Sequence, residues 1–341
     1  MIFMRQTPGL SKFFAFVLSS FIAFSVQAQA ADSPVDKREA QAWLKNIQAA
    51  AVRLSYSGTF VYQQGEQFRT SRITHVKIGK NEYEKLEVLD GKPREYIRTN
   101  DEIICYVPDS KTLLVEKRVT PEVFPALPNA NPARLGDHYR LSKGGTGRVA
   151  GYPTQAILLT PRDNLRYGYR LWAEQKSGLL LRAQTLNEKG EIVEQISFTQ
   201  IEIGKIDRKR TRSSISNTQG WHIERAAMET ATLSGWSVQA MPPGFRKIRE
   251  VKRLVTNGAG SARPGHAAQS REMAQLVYSD GLAAISIFIE PAGASRAEGT
   301  MQQGAMNIAG KRHGDFWLTI VGEVPAVAVK QVANSIEFKT R

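Results

Sequence analysis

Five histidines, one cysteine and the carboxylates are the side chains with which this 341-residue chain could do covalent or metal chemistry. His75, His138, His222, His266 and His313 fall in no H-E-x-x-H string and in no paired metal-ligand spacing. Cys105 stands alone, which excludes a thiolate-rich metal site and an intramolecular disulfide. Within EIICYV it reads as a buried thiol packed as a small hydrophobe. There is no G-x-S-x-G elbow and no S-x-x-K. His75, in a strand pattern, reads as a rim or surface residue. Glu82 and Glu84 alternate along a strand and read as a solvated face. KGGTGRVAG (143–151) lacks the Lys-Ser/Thr and the strand-to-helix setting of a phosphate loop, so its glycines read as turns. No nucleophile, base and oxyanion set assembles. The reading is a binding protein with no catalytic residue, no metal site and no cofactor.

Two basic clusters remain as binding chemistry. Lys205, Arg208, Lys209, Arg210 and Arg212 form one; Arg246, Lys247, Arg249, Lys252 and Arg253 form the other. Each is either a solubilising face or a surface for phosphates and carboxylates, which arginine forks bidentately. The net charge of +14 is compatible with nucleic acid, anionic lipid or an acidic protein. The N-terminus narrows that choice. Arg5 and Lys12 precede an apolar run, Phe13 to Val26, and VQAQA follows it, the pattern of a signal peptide cleaved after Ala30. An exported chain argues against nucleic acid. It leaves anionic lipid, phosphorylated glycan or an acidic polypeptide as partners, and leaves homo-oligomers open.

The elements that must position these groups follow from periodicity. Trp43, Leu44, Ile47, Ala50, Ala51 and Leu54 give one apolar face to a helix over 36–55, with Asp36 as its cap. The period then changes to two. About ten short strands follow as far as residue 204, joined by connections too short for parallel crossovers. The run 119–136 carries four prolines and reads as a long loop. So large a sheet must curl or be covered. One helix is little cover, which points to an apolar cradle; the alternative is a helix and proline-rich loop that fill it. Phe60, Tyr62, Ile104, Leu158, Trp172 and Leu180 are candidate lining residues. Residues 205–235 read as a basic linker. Residues 236–341 read as a smaller antiparallel sheet with a hairpin at Asp280-Gly281 and a closing helix after Pro325.

The strings LSYSGTFVYQQG, RITHV and YGYRLWAEQKSGLLLRAQTLNEKGEIVEQISFTQIEIG resemble the first domain of the RseB/MucB family. WSVQAMPPGFRKI, QLVYSDGLAAISIFIE and FWLTIVGEVPAVAVKQVANSIEF resemble its second. The resemblance implies a mainly β (α+β) fold. Residues 31–204 would form a curved antiparallel half-barrel of the LolA/LolB type with a packed helix, accepting lipid. Residues 236–341 would bind an anti-sigma factor. It implies a periplasmic negative regulator of the sigma-E envelope stress response. Such a protein binds the periplasmic domain of a single-pass anti-sigma factor and shields it from the site-1 protease; lipid or lipopolysaccharide relieves the inhibition. On that reading the lining residues form an acyl pocket. Lys205, Arg208, Arg210, Arg246, Lys247, Arg249, Lys252 and Arg253 meet anionic headgroups or the acidic partner. A periplasmic lipid or lipoprotein carrier is the alternative, resting on the first domain alone.

Overall fold

The computed structural model describes residues 34–117, 124, 132–225, 228–230, 233–256, 270–293 and 296–339. The expected signal peptide, residues 1–30, lies outside the described residues. Asp32–Arg341 is one compact unit.

Helix α1 spans Pro34–Arg53. It starts on proline, whose fixed φ suits a first turn, so Asp36 falls inside the helix rather than at its cap. The first sheet follows in chain order: β1 (Tyr56–Gln64), β2 (Gln67–Ile78), β3 (Asn81–Val88), β4 (Arg94–Thr99), β5 (Glu102–Val107) and β6 (Thr112–Lys117). Short helix α2 (Pro132–His138) then leads into β7 (Tyr139–Val149), β8 (Tyr152–Pro161), β9 (Gly168–Glu174), β10 (Leu180–Leu186) and β11 (Ile192–Ile203). A 3-10 turn, Arg208–Thr211, and β12 (His222–Arg225) complete this half. The order across the sheet is β12-β6-β5-β4-β3-β2-β1-β11-β10-β9-β8-β7.

Two parts depart from the sequence reading. The glycine-rich stretch 143–151 is mostly strand, not turn: β7 runs through Gly144, Gly145 and Gly147 with a bulge between Lys143 and Thr146. The glycines make room for neighbours. A Cβ on Gly147 would lie 2.7 Å from the Trp172 ring, and one on Gly144 3.0 Å from Ala156 Cβ. Inside the stretch read as a linker, β12 joins the sheet edge, parallel to β6 with Ile223 opposite Leu113.

α1 covers one face of the β7–β10 end. Leu44 and Ile47 pack with Leu141, Ile157, Leu171 and Leu180 in one core cluster. The second sheet contains β13 (Met228–Thr230), β15 (Arg246–Thr256), β16 (Ser270–Ser279), β17 (Ala284–Pro291), β18 (Gly299–Gln303), β19 (Met306–His313) and β20 (Phe316–Gly322), in the order β13-β15-β16-β17-β20-β19-β18. The Asp280-Gly281 hairpin has the expected register, Leu276 opposite Ile287 and Tyr278 opposite Ile285. Helix α3 (Ala326–Asn334) buries Ala328, Val329, Val332 and Ala333 against this sheet. A ribbon of β14 (Trp236–Val238) and β21 (Ile336–Phe338) closes the end.

Ile47, on the inward face of α1, is fully buried. Ile47→Ala should cost about 2–5 kcal/mol of stability, read as a lower urea midpoint with an unchanged slope.

Candidate functional site

Strand register decides which candidate lining residues share a surface, because alternate side chains point to opposite faces. Phe60 lies opposite Phe198, Tyr62 opposite Ile196, and Ile196 opposite Ala183, which in turn pairs with Leu171. Leu180 pairs with Ala173 on that same face. Ile104 follows the other parity through Ile97, Lys85 and Thr74 to Ser57. Trp172 and Leu158 pair with Ala156 and Arg170, opposite in parity to Leu171. The six therefore divide: Phe60, Tyr62 and Leu180 on the α1 face, Ile104, Leu158 and Trp172 on the other.

On the α1 face, Leu180 belongs to the core beneath the helix. Phe60 sits edge-on to Phe198, with ring centroids 5.8 Å apart. The Phe124 ring, from the proline-rich run, lies 5.5 Å from Phe60 and 5.1 Å from Phe198. Three aromatic rings thus pack against one another on the α1 face. On the opposite face Trp172 is half-buried and donates through Nε1 to Gln184 Oε1 at 3.4 Å.

The first basic cluster lies against that opposite face. Arg208 stacks over the Tyr83 ring at 4.0 Å. Arg210 donates to Glu202 at 2.9 Å and to Ser57 at 2.7 Å. Arg210, Glu202 and Ser57, with Arg72, Thr59 and Gln200, line an open cavity of about 260 Å³. Lys205 is exposed beside them. The chain after the turn is tied down by Glu95, whose carboxylate accepts from Ser213 Oγ at 2.6 Å and from Lys85 at 3.2 Å. Against the upward push of burial, these partners hold the Glu95 carboxyl below its usual range. In the second cluster Arg246 and Lys247 are exposed, and Lys247 pairs with Glu250. Arg249 is half-buried. Lys252 borders an apolar cavity of about 310 Å³ walled by Trp236, Phe316 and Phe338. The Arg253 side chain lies outside the described residues.

Two small readings are corrected here. His75 is buried, not at a rim: its Nδ1 is 2.8 Å from the Leu54 carbonyl and its ring stacks on Tyr56 at 5.0 Å. Burial pushes its pKa down. Glu82 and Glu84 are not a free solvated row, since both grip Arg98, at 2.8 and 3.0 Å.

The strongest polar site was not singled out by sequence at all. Arg166, just before β9, and Asp280, in the β16–β17 turn, bridge the two sheets at 2.8 Å with both side chains fully buried. Asp280 Oδ2 also accepts from the Tyr139 hydroxyl at 3.0 Å. Its Oδ1 accepts the N–H groups of Leu282 and Ala283, at 2.9 and 3.0 Å. Arg166 Nη2 donates to the Pro243 carbonyl at 2.7 Å, and Nε to Asp163 at 3.0 Å. The guanidinium lies between the Tyr139 and Phe245 rings, 5.5 and 5.6 Å from their centroids. Burial drives the Tyr139 hydroxyl well above its ordinary pKa, so it stays a donor. Asp280 was legible only as a turn residue, and nothing in LRYGYR marks Arg166.

Two β sheets, locked together by a buried ion pair and each carrying basic residues, define the architecture. Among the described residues no group of three His, Cys, Asp or Glu side chains could hold a metal ion. Residues 39–227 match the MucB/RseB N-terminal domain and residues 230–337 the MucB/RseB C-terminal domain. The chain belongs to the MucB/RseB family. It is 32% identical to the sigma factor AlgU regulatory protein MucB of Pseudomonas aeruginosa over 304 residues, 87% of this chain and 90% of the relative. It is 25% identical to the sigma-E factor regulatory protein RseB of Haemophilus influenzae over the same shares of the two chains. The crystal structure of MucB in complex with MucA(peri) superposes with a TM-score of 0.67 at 29% identity, covering 89% of this chain and all of that one.

Breaking the buried pair should be severe. Asp280→Ala leaves the Arg166 charge without its partner and should cost about 3–5 kcal/mol, while the double variant Arg166→Met/Asp280→Ala recovers much of it. Urea unfolding of these two variants and of Arg166→Met alone reads that coupling.

Proposed function

We propose that this protein is a periplasmic regulatory binding protein that grips the periplasmic part of a membrane-spanning anti-sigma factor. In doing so it covers the segment that the site-1 protease would cut and restrains release of a sigma-E-type factor. The observation that supports this best is a likeness to MucB bound to MucA(peri) that extends over both sheets rather than one. The expected signal peptide supports the compartment. A basic second half, with Arg246, Lys247, Arg249, Lys252 and Arg253, suits an acidic stretch of the partner.

Lipid or lipopolysaccharide relieves the grip by linkage. It favours the partner-free arrangement by as much as it binds that arrangement better. The Phe60, Phe198 and Phe124 rings mark where an acyl chain would lie, in place of Phe124. Arg72, Arg210, Arg208 and Lys205 offer donors for an anionic headgroup. They stand on the opposite sheet face from those rings, so headgroup and chain would meet the sheet at its edge or through two molecules.

The test is capture. The immobilised mature chain should retain the purified periplasmic segment of the anti-sigma factor from its own genome, slow its cleavage by the site-1 protease, and release it on adding lipopolysaccharide. Absence of retention would sink the regulator reading; retention unaffected by lipopolysaccharide would sink the relief. Phe124→Ala should raise uptake of a fluorescent fatty-acid probe severalfold with the circular dichroism unchanged. Equal uptake by both proteins would remove the concave face as the acyl site.

A further inference from the structure

The face of the first sheet opposite α1 carries two guanidinium groups beside an indole. Two cross-strand rows build it over β8–β11. In one, Leu158 lies opposite Arg170, Arg170 opposite Gln184, and Gln184 opposite Gln195. In the next, Trp172 lies opposite Arg182, and Arg182 opposite Ser197. Arg170 and Trp172 are two residues apart on β9, so both rows stand on one face. Side-chain hydrogen bonds order the rows. Trp172 Nε1 donates to Gln184 Oε1 at 3.4 Å, Gln184 Nε2 to Gln195 Oε1 at 2.6 Å, and Arg182 Nε to Ser197 Oγ at 3.0 Å. The indole lies over Gly147, where a Cβ would come within 2.7 Å of the ring. Arg170, Trp172 and Arg182 are all half-buried, with part of each open to solvent.

The positive charge here is not answered locally. Among the described residues neither Arg170 nor Arg182 forms an ion pair, in contrast to Arg72, Arg98, Arg166 and Arg210. The carboxylates on the same face of β9 and β11 are engaged elsewhere. Glu174 is buried and accepts from the Ser177 N–H at 2.6 Å, and Glu202 accepts from Arg210 at 2.9 Å. Burial lowers the Arg182 pKa, and no carboxylate acts against it.

We propose that this face binds an extended acidic segment of a partner protein. Two carboxylates at alternate positions of that segment meet Arg170 and Arg182, and an apolar side chain beside them lies on Trp172 and Leu158. The spacing selects this class of ligand. Arg170 and Arg182 are diagonal neighbours across β9 and β10, about 7–8 Å apart at Cα. Alternate residues of an extended chain stand about 7 Å apart and point the same way. Each guanidinium forks one carboxylate bidentately. The indole is half-buried within its row, which suits a segment that comes down onto the sheet rather than a bilayer into which a tryptophan must project. The inference rests on the regulator reading for the identity of the partner, and it adds a contact on the first sheet to the basic second half.

Calorimetric titration of the mature chain with the purified periplasmic segment of the anti-sigma factor tests the face. Arg170→Gln and Arg182→Gln keep part of the stem and remove the charge. Each should weaken binding by on the order of tenfold, and Trp172→Ala by a similar factor. The losses in the two arginine variants should shrink at high salt. Lys189→Ala, which removes an exposed cation from the β10–β11 turn, should bind as the parent does. Parent-like binding by the Arg170→Gln/Arg182→Gln double variant overturns the proposal and leaves the regulator reading standing. If the parent chain does not bind the segment, the regulator reading fails, and a synthetic peptide with glutamate at alternate positions decides the face against its glutamine counterpart. Preference for the acidic peptide, lost in the double variant, supports the face; equal binding of the two peptides overturns it. A double variant that binds the segment normally but no longer binds vesicles containing phosphatidylglycerol assigns the charge to lipid and also overturns it. Circular dichroism and the urea midpoint check folding, and if the double variant does not fold, Arg170→Gln alone decides on the same terms.

Discussion

A twelve-stranded open sheet has one apolar face that it cannot hide by itself, and the rest of the molecule is arranged around hiding it. A barrel would do so by closing. This sheet stays open and borrows cover from other parts of the chain. α1 covers the β7–β10 end with an aliphatic stripe. Phe124 covers the β1–β11 region with a single ring set between Phe60 and Phe198. The two covers differ in kind. The helix is continuous, with fully buried Ala40, Ile47 and Ala50. Removing it would expose most of the core. A lone ring over two others buries far less area, and a ligand with comparable apolar surface can compete with it. The sheet thus carries a strong cover at one end and a light one at the other.

The seam between the sheets follows another logic. Arg166 and Asp280 are wholly buried, which carries a large desolvation cost. Six hydrogen bonds offset it: four to the Asp280 carboxylate, counting the ion pair itself, and two more from the guanidinium to Pro243 and Asp163. Apolar packing alone would let the sheets slide. A guanidinium that fits two carboxylates, one carbonyl and two ring faces favours a single docking geometry. Leu282 packs into the first core and Leu165 into the second, so each sheet also lends an apolar residue to the other.

How much of this was legible depended on whether a feature is local. The α1 stripe, the Leu276/Tyr278 hairpin and the inward face of α3 repeat at fixed short spacings, and each occurs where that spacing puts it. The signal for β7 failed because its glycines answer to Trp172 and Ala156 on other strands, and that demand is invisible in the local string. β12 was missed because HIER gains strand structure only from the β6 edge beside it. The candidate site shows the same divide. Residue types suited to an apolar cradle were readable; the parity that separates Phe60 from Trp172 is set by the ladder. Arg166 and Asp280 are not legible as a pair because they are partners only in three dimensions, 114 residues apart.

The geometry also places the Phe60–Phe124–Phe198 ring cluster and the seam on one strand pair. Phe60 and Tyr62 project from the same face of β1, two residues apart; Phe198 and Glu194 do so from β11, which pairs with it. One end of this strand pair touches Phe124, and the other touches the second sheet through Gln64. A ligand that displaces Phe124 acts on strands that also carry the seam contacts. It changes the docking of the second sheet only if the strand pair has a different shape with ligand bound, and only by the difference in ligand affinity for the two shapes. The bulge between Thr59 and Phe60 in the β1–β11 ladder is the place where such a difference can be absorbed, since a bulge already interrupts the register there and permits a local change of twist. Phe60, which touches the Phe124 ring, and Gln64, whose side chain donates to the Gln303 carbonyl of the second sheet, thus stand on one short strand, so a change of shape at one reaches the other without a long pathway.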